Sequence, residues 1–303
     1  EVIPTRPAEN RRGLKLPKVN WGPADVFIGA TVTMLLVVTI LSLGGVIGTN
    51  VGFKTSIPSP EGYYIGALSA ALMLILINRT QSPMRPILLA TLMSVAVVAF
   101  SYTLASKSET GAAIFMGLQV SNITAATISA ALVVTGITYS LIKYNQPISA
   151  LGFVKTIGLH PYIYAVSTWL IALIVLMVWA QVLIWVKADW LVPPNTAMQA
   201  LDETGGRIFI TLFLVSFAGP IAEEIFFRGF VLSGLIRRFG IRRSLLISSL
   251  FFGLFHIDPG AVVPAFVLGL ALGWVYLKTR TIWPVIFAHS LHNTVAILVA
   301  KYT

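Results

Sequence analysis

Two adjacent glutamates, an arginine, two histidines and an asparagine lie within apolar stretches of this chain, where ionisable side chains are costly. In AGPIAEEIFFRGF, residues Glu223, Glu224 and Arg228 interrupt an apolar run over 208 to 236. A charge at mid-bilayer costs at least about 2.5 to 3.5 kcal/mol on insertion scales, so an adjacent pair of carboxylates needs a task. On a helix Glu224 stands four residues before Arg228 on the same face, whereas Glu223 points about 100° away. The spacing assigns Glu224 to pairing with Arg228 and leaves Glu223 for chemistry. A clamp made of one buried ion pair would explain one glutamate and not the other.

The following apolar stretch, SLLISSLFFGLFHIDPG, ends near His256, and the final one contains AHSLHNTVA. His289 and Asn293 share a helical face, while His292 is rotated away from it. Counting about 1.5 Å per residue from the nearest basic residue, Glu223 is roughly 21 Å from Arg237 and His256 roughly 20 Å from Arg243. Asn293 is about 20 Å and His289 about 14 Å from Arg280. Polar groups on three helices therefore fall at similar depth and can meet around one cavity. A glutamate and a histidine converging on one water make a general base. A second histidine with an asparagine amide can hold the negative oxygen of a tetrahedral intermediate. These are the parts of an acyl-transfer site without a covalent nucleophile.

The same residues resemble a known family. Glu223-Glu224 with Arg228, then Phe252 four residues before His256, then His289 four before Asn293, are similar to the three signature motifs of the CAAX prenyl endopeptidase type II and bacteriocin-processing membrane proteases, the CPBP or ABI family. The resemblance covers about 205 to 300. It implies a helical-bundle intramembrane peptidase in which Glu223 and His256 activate water, His289 and Asn293 form the oxyanion site, and Glu224, Arg228 and Phe252 support them. The implied substrate is a peptide or protein: a prenylated CAAX tail, a bacteriocin-like precursor or a membrane-protein segment.

The elements that must position these residues are membrane spans. Of the 303 residues, 56% are hydrophobic and 11% charged, against about 25% charged in soluble domains. The expected fold is all-α, a polytopic transmembrane bundle of eight or nine spans, at about 24 to 46, 62 to 78, 86 to 105, 112 to 142, 162 to 186, 208 to 236, 244 to 257, 261 to 277 and 281 to 300. The stretch 112 to 142 is long for one crossing and 244 to 257 is short. Residues 146 to 161 suit a helix lying at the interface, with His160 at the surface. Three regions follow: a basic arm at 1 to 23, an amino-terminal transmembrane half at 24 to 200 without motifs, and a catalytic region at 201 to 303. With the arm in the cytoplasm, the inner loops collect Arg79, Arg85, Lys143, Lys155, the cluster Arg237, Arg238, Arg242 and Arg243, then Lys278 and Arg280, as the positive-inside bias requires.

Other chemistries are constrained. The net charge of +10 is spread between apolar segments, which indicates a lipid bilayer and not nucleic acid as partner. There is no cysteine, hence no thiolate nucleophile or ligand. GxSxG, HExxH and an intramembrane aspartate pair are absent. The expectation is a site without cofactor. The alternatives are a zinc peptidase in which Glu223, His256 and His289 converge from three spans, and a non-enzymatic scaffold or transporter that uses the polar cluster for binding or proton relay. Gly269 and Gly273 form a GxxxG spacing suited to close helix packing.

Overall fold

The computed structural model describes residues 18–43, 120–193, 195–203, 208–256 and 258–302. All regular structure among them is helical: α1 (Pro23–Leu43), α2 (Val120–Ile137), α3 (His160–Val186), α4 (Thr196–Glu203), α5 (Ile208–Leu254), α6 (Pro259–Thr279) and α7 (Trp283–Tyr302). Among the described residues four helices, α3, α5, α6 and α7, are long and apolar enough to cross a membrane, and Pro23–Leu36 and Ile128–Ile142 are shorter apolar helices. The chain is an integral, multi-pass membrane protein. The spans expected at 62 to 78 and 86 to 105, and most of the basic arm, lie outside the described residues. Helix α3 leaves Ile163, Ile171, Ile174, Met177 and Ile184 exposed. Lipid tails are as apolar as these side chains, so nothing drives that face inward.

Helix α5 runs for 47 residues, but Gly240 breaks it with φ 72° and ψ 169°. This is the left-handed region that a side chain disfavours. The two spans expected at 208 to 236 and 244 to 257 are thus two arms of one hairpin. Rings across it pair about Gly240: Phe227 with Phe252 at 5.1 Å and Phe226 with Phe255 at 5.8 Å. Ser248 Oγ also donates to the Phe227 carbonyl at 2.9 Å.

The outgoing arm is not a plain α-helix. It is π-helical over Leu212–Ala218 and again over Ile225–Leu232, with an α-helical Gly219–Glu224 between. Pro220 supplies a cause for the first stretch, because it has no N–H and its ring crowds the carbonyl four residues back. The Gly219 N–H bonds the Leu214 carbonyl five residues back, as a π turn requires. In the second stretch, side chains reach the backbone carbonyls. Ser233 Oγ donates to Arg228 O at 3.0 Å and the Trp21 indole donates to Phe230 O at 2.9 Å.

Helix α6 starts where Asp258 caps it, accepting from the Gly260 and Ala261 amides at 2.8 and 3.1 Å, with Pro259 in the first turn. Such a cap contributes about 1 kcal/mol. A Cβ at Gly269 would lie 3.1 Å from Ser249 Cα, and one at Gly273 2.5 Å from Leu245 Cδ1. The GxxxG spacing is therefore the face on which α6 meets the return arm of α5.

Residues 146 to 161 do not form the interfacial helix expected. They contain one 3-10 turn, Ile148–Leu151, and then an irregular path, because Gly152 and Gly158 take φ values of 90° and 71°. His160, exposed, opens α3. At this end Asp25 is buried and holds α1 to the stretch that follows α2: Lys143 Nζ donates to its Oδ1 and Tyr144 OH to its Oδ2. Burial works against the Lys143 ammonium, but the Asp25 bond and charge prevail and raise its pKa above the usual lysine value.

Candidate active site

Glu224 is the fixed point. Its side chain is wholly buried, and Oε1 accepts from Arg228 Nη1 at 2.9 Å and from His289 Nδ1 at 2.7 Å. The helical spacing on α5 places the arginine, and α7 brings the histidine. Arg228 spends a second donor on the Gly269 carbonyl at 3.2 Å, reachable because α6 packs closely there. Its guanidinium carbon also lies 4.6 Å from the centre of the Phe252 ring. Glu224 Oε2 has no hydrogen-bond partner among the described residues.

Glu223 is placed differently. Its side chain is 27% exposed, and Oε2 lies 3.8 Å from His289 Nε2. His289 thus stands between the two carboxylates, bonded to one through Nδ1 and within ion-pair distance of the other through Nε2. A neutral imidazole donating from Nδ1 accepts at Nε2; a protonated one donates from both.

His256 closes the return arm of α5. Its Nδ1 lies 2.8 Å from the Phe252 carbonyl. A carbonyl can only accept, so Nδ1 carries the hydrogen and Nε2 of the neutral ring keeps a lone pair. Phe252 packs its ring 5.0 Å from His256 and 5.7 Å from His289. The phenylalanine four residues before His256 is therefore the contact shared by both histidines and the arginine. Glu223 and His256 join one cluster through His289 and Phe252 and form no ion pair with each other.

Asn293 donates its Nδ2 to the Val215 carbonyl at 2.7 Å. In the π register that carbonyl would receive the N–H of residue 220, which is proline. Asn293 caps an acceptor that Pro220 leaves open, and among the described residues its second N–H and Oδ1 remain available. His292, the residue before it, faces α3, where its Nδ1 accepts from the Trp169 indole at 3.1 Å. Sequence reasoning did not find Trp169. The signal was an indole N–H in an apolar span, which must find an acceptor. Among the described residues no group of three His, Asp or Glu side chains is placed to hold a metal ion.

Residues 205–295 match the family model of type II CAAX prenyl endopeptidase Rce1-like proteins. The matched region is about the carboxy-terminal third of the chain. The Bacillus subtilis (strain 168) protein named "Putative membrane peptidase YdiL" is 31% identical over 100 residues, which are 33% of this chain and 41% of that one. The chain thus spans less than half the length of this curated relative. No solved structure matches the chain. Every polar side chain described above, from Glu223 to Asn293, falls within the region matched to the CAAX endopeptidase family. Helices α1, α2 and α3 fall outside it, although Trp21 and Trp169 reach in to touch it.

Proposed function

We propose that this protein is an intramembrane endopeptidase that hydrolyses peptide bonds with a water activated by Glu223 and His256. The observation that carries the reading is His289 standing between Glu224 at 2.7 Å and Glu223 at 3.8 Å. A structural clamp requires only Glu224 and Arg228. It gives no reason for a second, partly open glutamate on the far side of the same imidazole.

The steps balance without a covalent intermediate. The Glu223 carboxylate or the His256 Nε2 lone pair takes a proton from water as the oxygen attacks the substrate carbonyl carbon. The carbonyl oxygen becomes negative and is held by donors from His289 and Asn293. When the C–N bond breaks, the stored proton passes to the leaving nitrogen, giving an amine and a carboxylic acid, which then releases the second proton of the water to solvent. Glu224, Arg228 and Phe252 hold the cluster in place and take no proton.

The substrate is a peptide or protein presented at the membrane, and the family match supports a prenylated CAAX tail among the candidates. Hydrolysis of a farnesylated CAAX peptide by the purified protein, absent from a Glu223→Gln variant, tests activity and substrate together. A parallel assay with the unprenylated peptide tests the need for the lipid. In labelled water a single turnover should place the heavy oxygen in the new carboxylate, and serine and thiol reagents should leave activity intact. A trapped peptidyl-enzyme would overturn the water mechanism. Inhibition by a chelator, reversed by zinc, would overturn the metal-free reading. Solute flux in proteoliposomes without peptidase activity would favour a transporter.

A further inference from the structure

The tip of the α5 hairpin carries a concentration of charge that the chemistry above does not use. Arg237 and Arg238 end the outgoing arm and Arg242 and Arg243 begin the return, with all four side chains exposed around Gly240. None of the four forms an ion pair among the described residues. Asp25 at the start of α1, whose neighbour Trp21 bonds the outgoing arm, is already engaged by Lys143 and Tyr144.

The surface next to the arginines is apolar. Ile241, Leu246, Leu250 and Leu254 are exposed by 45, 51, 46 and 44% along the return arm. On the neighbouring α6, Lys278 Nζ lies 4.6 Å from the centre of the half-exposed Trp274 ring. An indole under a cation is the pairing found at the level of lipid headgroups. A cationic tip followed by an exposed leucine row matches the layout of one phospholipid, with its phosphate at the tip and acyl chains along the arm. Guanidinium groups bind phosphate oxygens through paired N–H donors, which ammonium groups do not reproduce.

We propose that the Gly240 hairpin is a binding site for an anionic phospholipid, with Arg237, Arg238, Arg242 and Arg243 holding the headgroup and Leu246, Leu250 and Leu254 lying against the chains. The site has a consequence for the hairpin. One arm carries Glu223 and Glu224 and the other carries His256, so a lipid bound across the tip steadies the spacing between them. The proposal requires only that these helices span a bilayer and does not depend on the peptidase reading.

The test is lipid retention by the full-length purified protein, measured by native mass spectrometry in detergent with phosphatidylglycerol or phosphatidylcholine added in turn. Phosphatidylglycerol should bind preferentially, and thermal stability should rise with it. Each arginine near an anionic surface contributes about a fivefold gain in affinity. Arg237→Gln with Arg238→Gln, and Arg242→Gln with Arg243→Gln, should each weaken retention by roughly 25-fold on that basis, while the corresponding lysine pairs should retain part of it. Each pair leaves two arginines at the tip, and correct insertion is checked independently by unchanged unfolding in phosphatidylcholine. Equal retention of the two lipids, or undiminished phosphatidylglycerol binding in both glutamine pairs, would overturn the proposal. Displacement of the lipid by glycerol 3-phosphate at similar concentration would overturn the acyl-chain contact and assign the tip to a free phosphate ligand.

Discussion

Removing Arg228 should damage the protein more than removing Glu223, although Glu223 is the group assigned to chemistry. Arg228→Met deletes two hydrogen bonds, to Glu224 Oε1 at 2.9 Å and Gly269 O at 3.2 Å, and the stacking on Phe252. It also strands a carboxylate with 0% side-chain exposure. Breaking a buried pair from one side costs about 3 to 5 kcal/mol, most of it the penalty of the charge left behind. The double variant Glu224→Met with Arg228→Met removes that stranded charge, and apolar replacement of a whole pair is often near neutral. Recovery should nevertheless be incomplete, because His289 Nδ1 loses its acceptor and a buried unpaired donor costs about 1 to 3 kcal/mol. The double variant should therefore sit between wild type and Arg228→Met, recovering roughly 2 kcal/mol. Denaturant unfolding of wild type, the single variants Glu224→Met and Arg228→Met and the double variant in one detergent, followed by tryptophan fluorescence, completes the cycle. Wild-type stability in Arg228→Met, or a double variant less stable than both singles, would refute the argument that Glu224 is a buried charge held by Arg228 and His289.

Glu223→Gln should abolish turnover with little change in unfolding, since its side chain is 27% exposed and reaches His289 only at 3.8 Å; a stability loss comparable to that of Arg228→Met would contradict the division of roles. Asn293→Ala should lower the turnover number by about 100 to 1000-fold with a small change in KM, as loss of an oxyanion donor does, whereas His292→Ala, facing Trp169, should be mild; the reverse ranking would show the α7 face assigned wrongly. Pro220→Ala returns an N–H that competes for the Val215 carbonyl, so it should slow turnover without lowering stability, and unchanged kinetics would remove the π stretch from the account of Asn293. Tags placed at 8, 82, 149, 240 and 279 should all report the cytoplasmic side, and an outer signal at 240 would reverse the orientation drawn from the arginine cluster.

How far the sequence revealed this arrangement differs from residue to residue. Helical spacing was enough to place Glu224 beside Arg228 and to put His289 and Asn293 on one face, because a four-residue step stays on one face in any regular helix. It did not show that Glu224 also holds His289, since that contact joins residues 65 apart and depends on how α5 and α7 cross. The short stretch at 244 to 257 was ambiguous as a span, and Gly240 resolves it by folding the chain back as a hairpin. The π stretches left one trace, Pro220, whose missing N–H says that a carbonyl upstream needs another donor without saying which side chain supplies it. The segment 146 to 161 does not form the interfacial helix expected, because two of its glycines, Gly152 and Gly158, adopt positive φ.

What separates this cluster from an ordinary buried clamp is the way each polar group is divided between anchoring and availability. His289 commits Nδ1 to Glu224 and leaves Nε2 toward Glu223; His256 commits Nδ1 to Phe252 O and leaves Nε2; Asn293 commits one N–H to Val215 O and leaves the other. In a clamp, evolution of stability alone would favour satisfying every donor and acceptor, since each buried unpaired group costs about 1 to 3 kcal/mol. Here His289, His256 and Asn293, the residues suited to moving a proton or holding an oxyanion, each keep a second atom of this kind, while Arg228 is tied to Glu224 and the Gly269 carbonyl and Glu224 keeps Oε2 without a partner among the described residues. Groups oriented by one bond and open at another atom need no reorganisation when a substrate arrives, which is the condition under which fixed donors stabilise developing charge. The two anchors of α7 also fit one another. His289 and Asn293 are about 6 Å apart along their helix, whereas Glu224 and Val215 are nine residues apart on α5. A helical side chain leans toward its amino terminus while a carbonyl points toward the carboxy terminus, so Glu224 and Val215 O approach each other along α5. That convergence brings both anchors within reach of one short face of α7.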